Sequence, residues 1–370
     1  MSGPLTSLRV VEFTGLGPAP LAGQLLADMG AEVTVIDRAS GEQDPTDINR
    51  RGKRSVALNL KSDAGRRAAQ KIIAEADILI EGFRPGVMER LGLGPEDCPE
   101  NLIYARMTGW GQTGPLAQRA GHDINYLALT GALHAIGPAD RPPVVPLNLI
   151  ADFGGGTMFL LFGILSAVIE RTVSGRGQVV DAAMSDGVPA MMGLIHTMIA
   201  RGTWSEQRSS NWLDGASPFY RCYECADGRY ISVGALEPQF YAELVRIAGL
   251  DDKGDQMDVA AWPGRAAEFA DTFRTRTRDE WADLFAGSDA CVAPVLSFAE
   301  ATLHPQNSDR AVFSAPGGVT QAACAPRFSR STVRTPETPG APGADTEAVL
   351  GALGYSRAAI AAMRAEGDIT

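Results

Sequence analysis

Histidine is scarce in this chain, with four copies in 370 residues. Cysteine is also sparse. The five copies are scattered and odd in number, which suits a reducing, cytoplasmic setting and argues against a disulfide-stapled scaffold. Cys222 and Cys225 form one C-x-x-C, but no second pair and no neighbouring histidine completes a zinc set, so the pair reads as ordinary. Long apolar runs are missing too. The longest, Met158 to Ile169, has twelve residues, too few to span a bilayer, and is expected as a buried core helix. The opening Met1-Ser2-Gly3-Pro4-Leu5-Thr6 has neither a basic nor an extended apolar region, so no signal peptide is expected. Positive charge is in deficit, with 33 Lys and Arg against 44 Asp and Glu and a net charge of -11. That balance argues against a nucleic-acid partner, whose phosphates would be repelled.

What is present is an ordinary globular composition, 45% hydrophobic and 21% charged, long enough for two domains. The first third alternates strand and helix. Strands are expected at 8–13, 32–37, 77–80 and 102–107, with another at 177–183 after a helix from Thr157 to Arg171. This β-α-β alternation predicts an α/β fold, a doubly wound and mostly parallel sheet with helices on both faces. The expected layout is a large domain over 1–190 and a linker over 191–219. A smaller α+β domain over 220–310 comes next, then an extended connector and C-terminal helix over 311–370 that return to the large domain. Gly15-Leu16-Gly17-Pro18-Ala19-Pro20 has the look of a dinucleotide fingerprint, with Asp37 closing the next strand. Its third glycine is replaced by Pro20, whose ring obstructs close helix–strand packing. A tight first turn of a doubly wound scaffold is therefore the better reading.

Two segments carry candidate chemistry. His122 lies in Gly121-His122-Asp123-Ile124-Asn125-Tyr126. Asp152 lies in Asn148-Leu149-Ile150-Ala151-Asp152-Phe153-Gly154-Gly155-Gly156, leading into the apolar helix. A base and an acid of different types, each on a Gly-rich segment, suit proton transfer at carbon. Taken singly, His122 reads equally well as a structural histidine, and Asp152 as a helix N-cap. Arg38, Lys61, Arg84 and Arg90 follow or flank strand ends, where ligands of open α/β sheets bind. Converging cations would suit a phosphorylated ligand; separately they read as solvated surface charges. Glu237, before Pro238, reads most simply as a surface residue. Met184, Met191, Met192 and Met198 read as core or as an adaptable apolar wall.

The chain resembles the α-methylacyl-CoA racemases of the class III CoA-transferase superfamily over essentially its whole length. The resemblance is carried by Glu81-Gly82-Phe83-Arg84-Pro85-Gly86, by Met107-Thr108-Gly109-Trp110-Gly111-Gln112-Thr113-Gly114-Pro115, by Gly121 to Tyr126, and by Asp152 to Gly156. It implies a Rossmann-like large domain, a small second domain, an interlocked homodimer, an acyl-CoA substrate, and neither metal nor organic cofactor. Carried over by position, His122 and Asp152 become the two acid/base groups, and Glu237 the carboxylate that the other subunit brings near His122. Arg38, Leu58, Asn59, Leu60, Lys61, Gly82, Phe83, Arg84, Arg90, Gly121, Asp123, Ile124, Asn125 and Tyr126 become the CoA and acyl contacts. The Gly15–Gly17 turn becomes channel wall.

Inverting a carbon next to a thioester requires a proton removed from one face and returned to the other. A histidine side chain, with an ordinary pKa of about 6.5, suits one face; an aspartate, ordinarily about 3.9, needs desolvation or a nearby carboxylate to serve on the other. The first N–H groups of the Gly154–Gly156 helix are expected to stabilise the enolate oxygen. The closest rival is a CoA-transferase in which Asp152 attacks the thioester and forms an acyl anhydride; such an enzyme has no need of His122. A catalytically dead CoA-binding protein is a third reading, disfavoured by the joint presence of His122, Asp152 and Glu237. Branched fatty acyl, steroid side-chain and aromatic acyl groups all remain open.

Overall fold

The computed structural model describes residues 3–38, 44, 46–251 and 254–370. Two compact units emerge, the first formed by Met1–Thr130, Leu147–Met191 and Gln306–Thr370, the second by Gly131–Pro146 and Met192–Pro305. Residues 131–146, placed in the large domain by the sequence, thus group with the smaller unit.

The first unit is built on six strands: β1 (Arg9–Phe13), β2 (Glu32–Arg38), β3 (Lys53–Leu58), β4 (Ile78–Glu81), β5 (Ile103–Thr108) and β6 (Val179–Ala183). Their order is β3-β2-β1-β4-β5-β6, and every pairing is parallel. Strands covered on both faces read as continuous apolar runs, which is why β1, β2, β4 and β5 are legible. β3 is not, because it opens on Lys53 and Arg54. Lys53 Nζ donates to Glu12 Oε2 at 2.6 Å and to the Pro20 carbonyl at 2.8 Å, and both charged side chains are only 2% exposed. A charged pair buried in this way hides a core strand from a hydropathy reading. Asp37, the acid of the apparent dinucleotide fingerprint, is engaged by Arg50 and by the Ser55 hydroxyl.

Helix α1 (Pro18–Asp28) starts from Gly17, whose φ of 78° favours glycine, with proline at the first helical position. Helix α2 (Asp63–Ala74) is capped by Ser62, whose Oγ accepts the Gly65 N–H at 3.0 Å. Three further short helices are α3 (Val87–Arg90), α4 (Asp123–Ala128) and α5 (Ala132–Ala135), the last of them in the second unit. The C-terminal helices Thr346–Ala352 and Arg357–Ala365 place Leu350, Ile360 and Met363 in one core with Phe13, Leu58 and Ile72.

The expected helix from Thr157 begins earlier and differently. Leu149–Met158 is a π-helix and runs straight into α6 (Phe159–Ser174), leaving Gly154, Gly155 and Gly156 inside the helix rather than at its start. Its wide turns pack tightly on α7 (Met184–Met191). A Cβ on Gly155 would stand 2.9 Å from the Val188 backbone nitrogen, and one on Gly187 would overlap the Gly155 carbonyl. The glycines serve close helix packing. The continuous run Leu149–Ser174 has 26 residues, long and apolar enough to cross a membrane by length and composition alone. It is also not a buried core helix throughout. Met158, Phe162, Leu165, Ile169 and Val173 lie on one exposed stripe, with Phe162 71% and Val173 89% accessible.

In the second unit, β7 (Tyr220–Glu224), β8 (Tyr230–Gly234) and β9 (Val292–Pro294) form an antiparallel sheet. Helices α8 (Gly193–Ala200) and α9 (Pro238–Ala248), with Trp262–Phe273 and Arg278–Phe285, belong to the same unit. Its core is aromatic: Phe219, Tyr223, Phe269, Phe273 and Trp281. Cys222 is an exposed and Cys225 a buried free thiol.

Candidate active site

A cavity of about 420 Å³ lies at the C-terminal ends of the first unit's strands. Its wall comes from the turn after β1 (Gly15 to Ala19), the segment after β4 (Gly82 to Pro85), the end of β5 with the start of the loop beyond it (Met107 to Trp110), and Met184 beyond β6. The strand order reverses between β1 and β4. The crevice is thus at the topological switch point, where open α/β sheets bind ligands. A second cavity, about 490 Å³, sits at the opposite strand ends and holds none of the candidate residues. Of its cations, Arg9 and Arg54 are paired with Glu75 and Glu32, and Lys71 stands over the Tyr355 ring.

His122 and Asp152 both line the switch-point cavity. His122 precedes α4 as its N-cap residue, and its backbone N–H donates to Asn125 Oδ1 at 3.1 Å. Asp152 is half-buried in the first turn of the π-helix, whose N-cap is Asn148 rather than Asp152 itself. Asn148 Nδ2 donates to Asp152 Oδ2 at 3.3 Å. Burial raises the Asp152 pKa above the ordinary carboxylate value; the Asn148 hydrogen bond and the His122 charge pull it down, and the Asp123 charge pushes it up. The desolvation that an aspartate needs to act as an acid is therefore in place.

Asp123 joins the two catalytic candidates. It is buried, and its Oδ2 accepts the backbone N–H groups of Ala151 at 2.9 Å and Asp152 at 2.8 Å. These are among the N–H groups that a helix start leaves without intrahelical partners. One carboxylate, next in sequence to His122, thereby caps the helix that carries Asp152. Expected as a substrate contact, Asp123 is committed to the backbone instead. The helix-start donors expected at Gly154–Gly156 are likewise displaced: the true start of that helix is bonded to Asp123.

Tyr126 holds the histidine segment from the other side. Its hydroxyl donates to the Gly121 carbonyl, and its ring meets Trp110 edge-on at 4.8 Å between centroids. A Cβ on Gly109 or Gly121 would overlap that ring, so both positions need glycine for space. Burial raises the Tyr126 pKa.

Of the expected CoA contacts, Gly82, Phe83, Arg84, Gly121 and Tyr126 line the cavity, whereas Arg38, Leu58, Asn59, Leu60, Lys61, Arg90, Ile124 and Asn125 do not. Leu58 is a core residue that bridges to Ile369, and the Asn59 N–H donates to the Asp368 carbonyl at 2.8 Å. The segment of Asn59, Leu60 and Lys61 is thus tied to the chain's C-terminal tail. Arg38 ends β2, and Arg90 ends α3. Phe83 is fixed by Glu81 Oε2, which accepts its N–H at 2.7 Å. Burial is the main cause that lifts the Glu81 pKa to about 7. Glu237 is in the second unit, exposed, just ahead of α9. Sequence reasoning missed Arg119, the second cation of the cavity, and Trp110, Met107 and Asn148. Arg119 stands in an irregular loop with no periodicity to mark it. Gln118 beside it donates to the Pro85 carbonyl at 3.0 Å, which draws the Arg119 loop to the Arg84 segment.

Known proteins are similar to this chain in sequence and in fold. Residues 5–346 match the model of CoA-transferase family III. A protein of Mus musculus named alpha-methylacyl-CoA racemase is 46% identical over 343 residues, covering 90% of this chain and 88% of that protein. One of the same name from Homo sapiens is 41% identical over 363 residues, covering 95% and 94%. Among solved structures, a CAIB/BAIF family protein from Brucella suis superposes with a TM-score of 0.82 at 25% identity, covering 95% of this chain and 100% of that one.

Proposed function

The chain belongs to CoA-transferase family III, and we propose that within it the chain interconverts (2R)- and (2S)-2-methylacyl-CoA thioesters by 1,1-proton transfer. The observation that carries this reading is the pair His122 and Asp152 on one cavity. One group removes the C2 proton, a planar enolate forms, and the other group returns a proton to the opposite face. Each must serve as base in one direction and acid in the other, which the raised pKa of Asp152 favours. Arg84 and Arg119 give this acidic protein two cations at the cavity, suited to the phosphates of CoA. The proton transfer uses side chains alone, with no metal or organic cofactor.

The same reading takes the enzyme as a homodimer. The exposed stripe of α6 is an apolar face of the kind that a partner covers, and Glu237 of the partner subunit is assigned to the vicinity of His122. Transfer of CoA through an Asp152 anhydride is the rival chemistry, and relatives named as CoA-transferases exist. It gives no role to His122.

The test uses a single-enantiomer 2-methylacyl-CoA in deuterated water. Solvent deuterium at C2 and loss of optical purity, with no acceptor acid added, are expected. A strict requirement for a second carboxylic acid would reverse the assignment in favour of the transferase. His122→Ala is expected to lower turnover by about 10²- to 10⁴-fold while CoA still binds; unchanged turnover removes His122 from the mechanism.

A further inference from the structure

The cavity of about 490 Å³ at the opposite strand ends holds neither His122 nor Asp152, and its volume is in the range of small-molecule sites. It lies between the sheet, α2 and the C-terminal helix Thr346–Ala352. Side chains alternate between faces along a strand, so Arg9 and Val11 of β1 share one face. Register sets Arg9 beside Glu32, Val11 beside Thr34, and Thr34 beside Arg54 of β3. Farther along these strands the same face is filled by Phe13, Ile36 and Val56, in one core with Ile72 and Leu350. At the strand starts that filling stops. Ala74, Ala76 and Ala352, whose side chains end at Cβ, line the space instead.

Two features point to a ligand. Thr34 is only 8% exposed and lines the cavity, yet its hydroxyl has no hydrogen-bond partner among the described residues. A hydroxyl so placed costs free energy until a partner meets it. Around it the charges do not balance, because Arg9, Arg54 and Lys71 stand with only Glu32 and Glu75. The Arg9–Glu75 and Arg54–Glu32 pairs are exposed and use one guanidinium nitrogen each, so they are weak and leave N–H donors over. Lys71 lies 4.3 Å from the centre of the Tyr355 ring and pairs with no carboxylate among the described residues. We propose that this cavity is a second ligand site, separate from the catalytic one, and that it takes a small monocarboxylate with a compact apolar body. The carboxylate accepts from the Thr34 hydroxyl and from the surplus cations, supplying the one negative charge that the rim lacks. The apolar body covers Val11, Ile72, Val349 and Leu353. The choice between racemase and transferase chemistry does not enter.

The probe is cyclohexanecarboxylate, titrated calorimetrically into the full chain with and without excess CoA. Binding with a Kd at or below about 1 mM is expected, unchanged by CoA. The neutral amide, cyclohexanecarboxamide, is expected to bind at least about 10-fold more weakly. Thr34→Val keeps the shape of the side chain and removes only the hydroxyl. It is expected to weaken binding of the carboxylate about 10-fold at an unchanged melting temperature. Lys71→Met, at an exposed position of α2, removes the unbalanced charge without touching the sheet and is expected to weaken it at least about threefold. No binding at about 10 mM probe overturns the proposal. So does competition by CoA, which places the probe at the catalytic end. An amide that binds as well as the acid overturns it too, as does an affinity that survives either substitution in a folded variant.

Discussion

Asp123 shows how one side chain can set the geometry of two others. Its carboxylate is buried beside His122, spans 28 and 29 positions to the N–H groups of Ala151 and Asp152, and leaves Oδ1 without a hydrogen-bond partner among the described residues. Asp123→Ala removes the cap and is expected to cost about 1–2 kcal/mol in denaturant unfolding, together with a fall in kcat. Asp123→Asn is the sharper probe, because the amide oxygen can still accept both N–H groups while the charge is gone. Asp123 raises the Asp152 pKa through that charge. In the direction where Asp152 is the base, activity is lost as pH falls through its pKa, so the acid limb of the kcat profile is expected to shift to lower pH in the asparagine variant. A limb that stays in place would show that Asp152 does not feel Asp123 during turnover.

Among the elements, the π-helix is the least ordinary, and such turns recur at functional sites. Three consecutive glycines look from sequence like an open approach for a ligand. Packed, they are the face on which α7 lies, with Gly155 and Gly187 in backbone contact. Gly187→Ala drives a methyl into the Gly155 carbonyl, which is backbone and cannot rotate away. The variant is expected to lose about 3 kcal/mol of stability, read from its denaturation midpoint, and to lose activity because Asp152 sits on the displaced helix. Stability within about 0.5 kcal/mol of the parent would mean that the two helices can separate at little cost. β3 makes a parallel point. Its Lys53 and Arg54 read as loop. Lys53 opens the strand at the edge of the sheet, and the buried Glu12 carboxylate explains how a lysine sits there with its charge out of water.

For the molecule as a whole, the exposed stripe of α6 is the feature that a single chain leaves unfinished. Under the proposed dimer, Phe162→Glu with Ile169→Glu is expected to halve the sedimenting mass, since two charges would have to be desolvated on the apolar stripe, and to depress turnover. An unchanged mass would place the dimer contact elsewhere.

The chain determines by itself what is local. Apolar runs mark β1, β2, β4 and β5, Pro18 and Ser62 mark helix starts, and the scarcity of histidine singles out His122 beside a Gly-rich aspartate segment. Those signals depend on neighbours a few positions apart, and burial enforces them directly. Only the tertiary structure decided which groups meet. It set the reversal of strand order between β1 and β4 that opens the crevice. It bound Asp123 to the helix of Asp152, brought Arg119 rather than Arg38 or Lys61 to stand with Arg84, and turned three glycines into a packing face. Each of these is a contact between segments far apart in sequence, fixed by how layers of helix and sheet pack, and no local period records it.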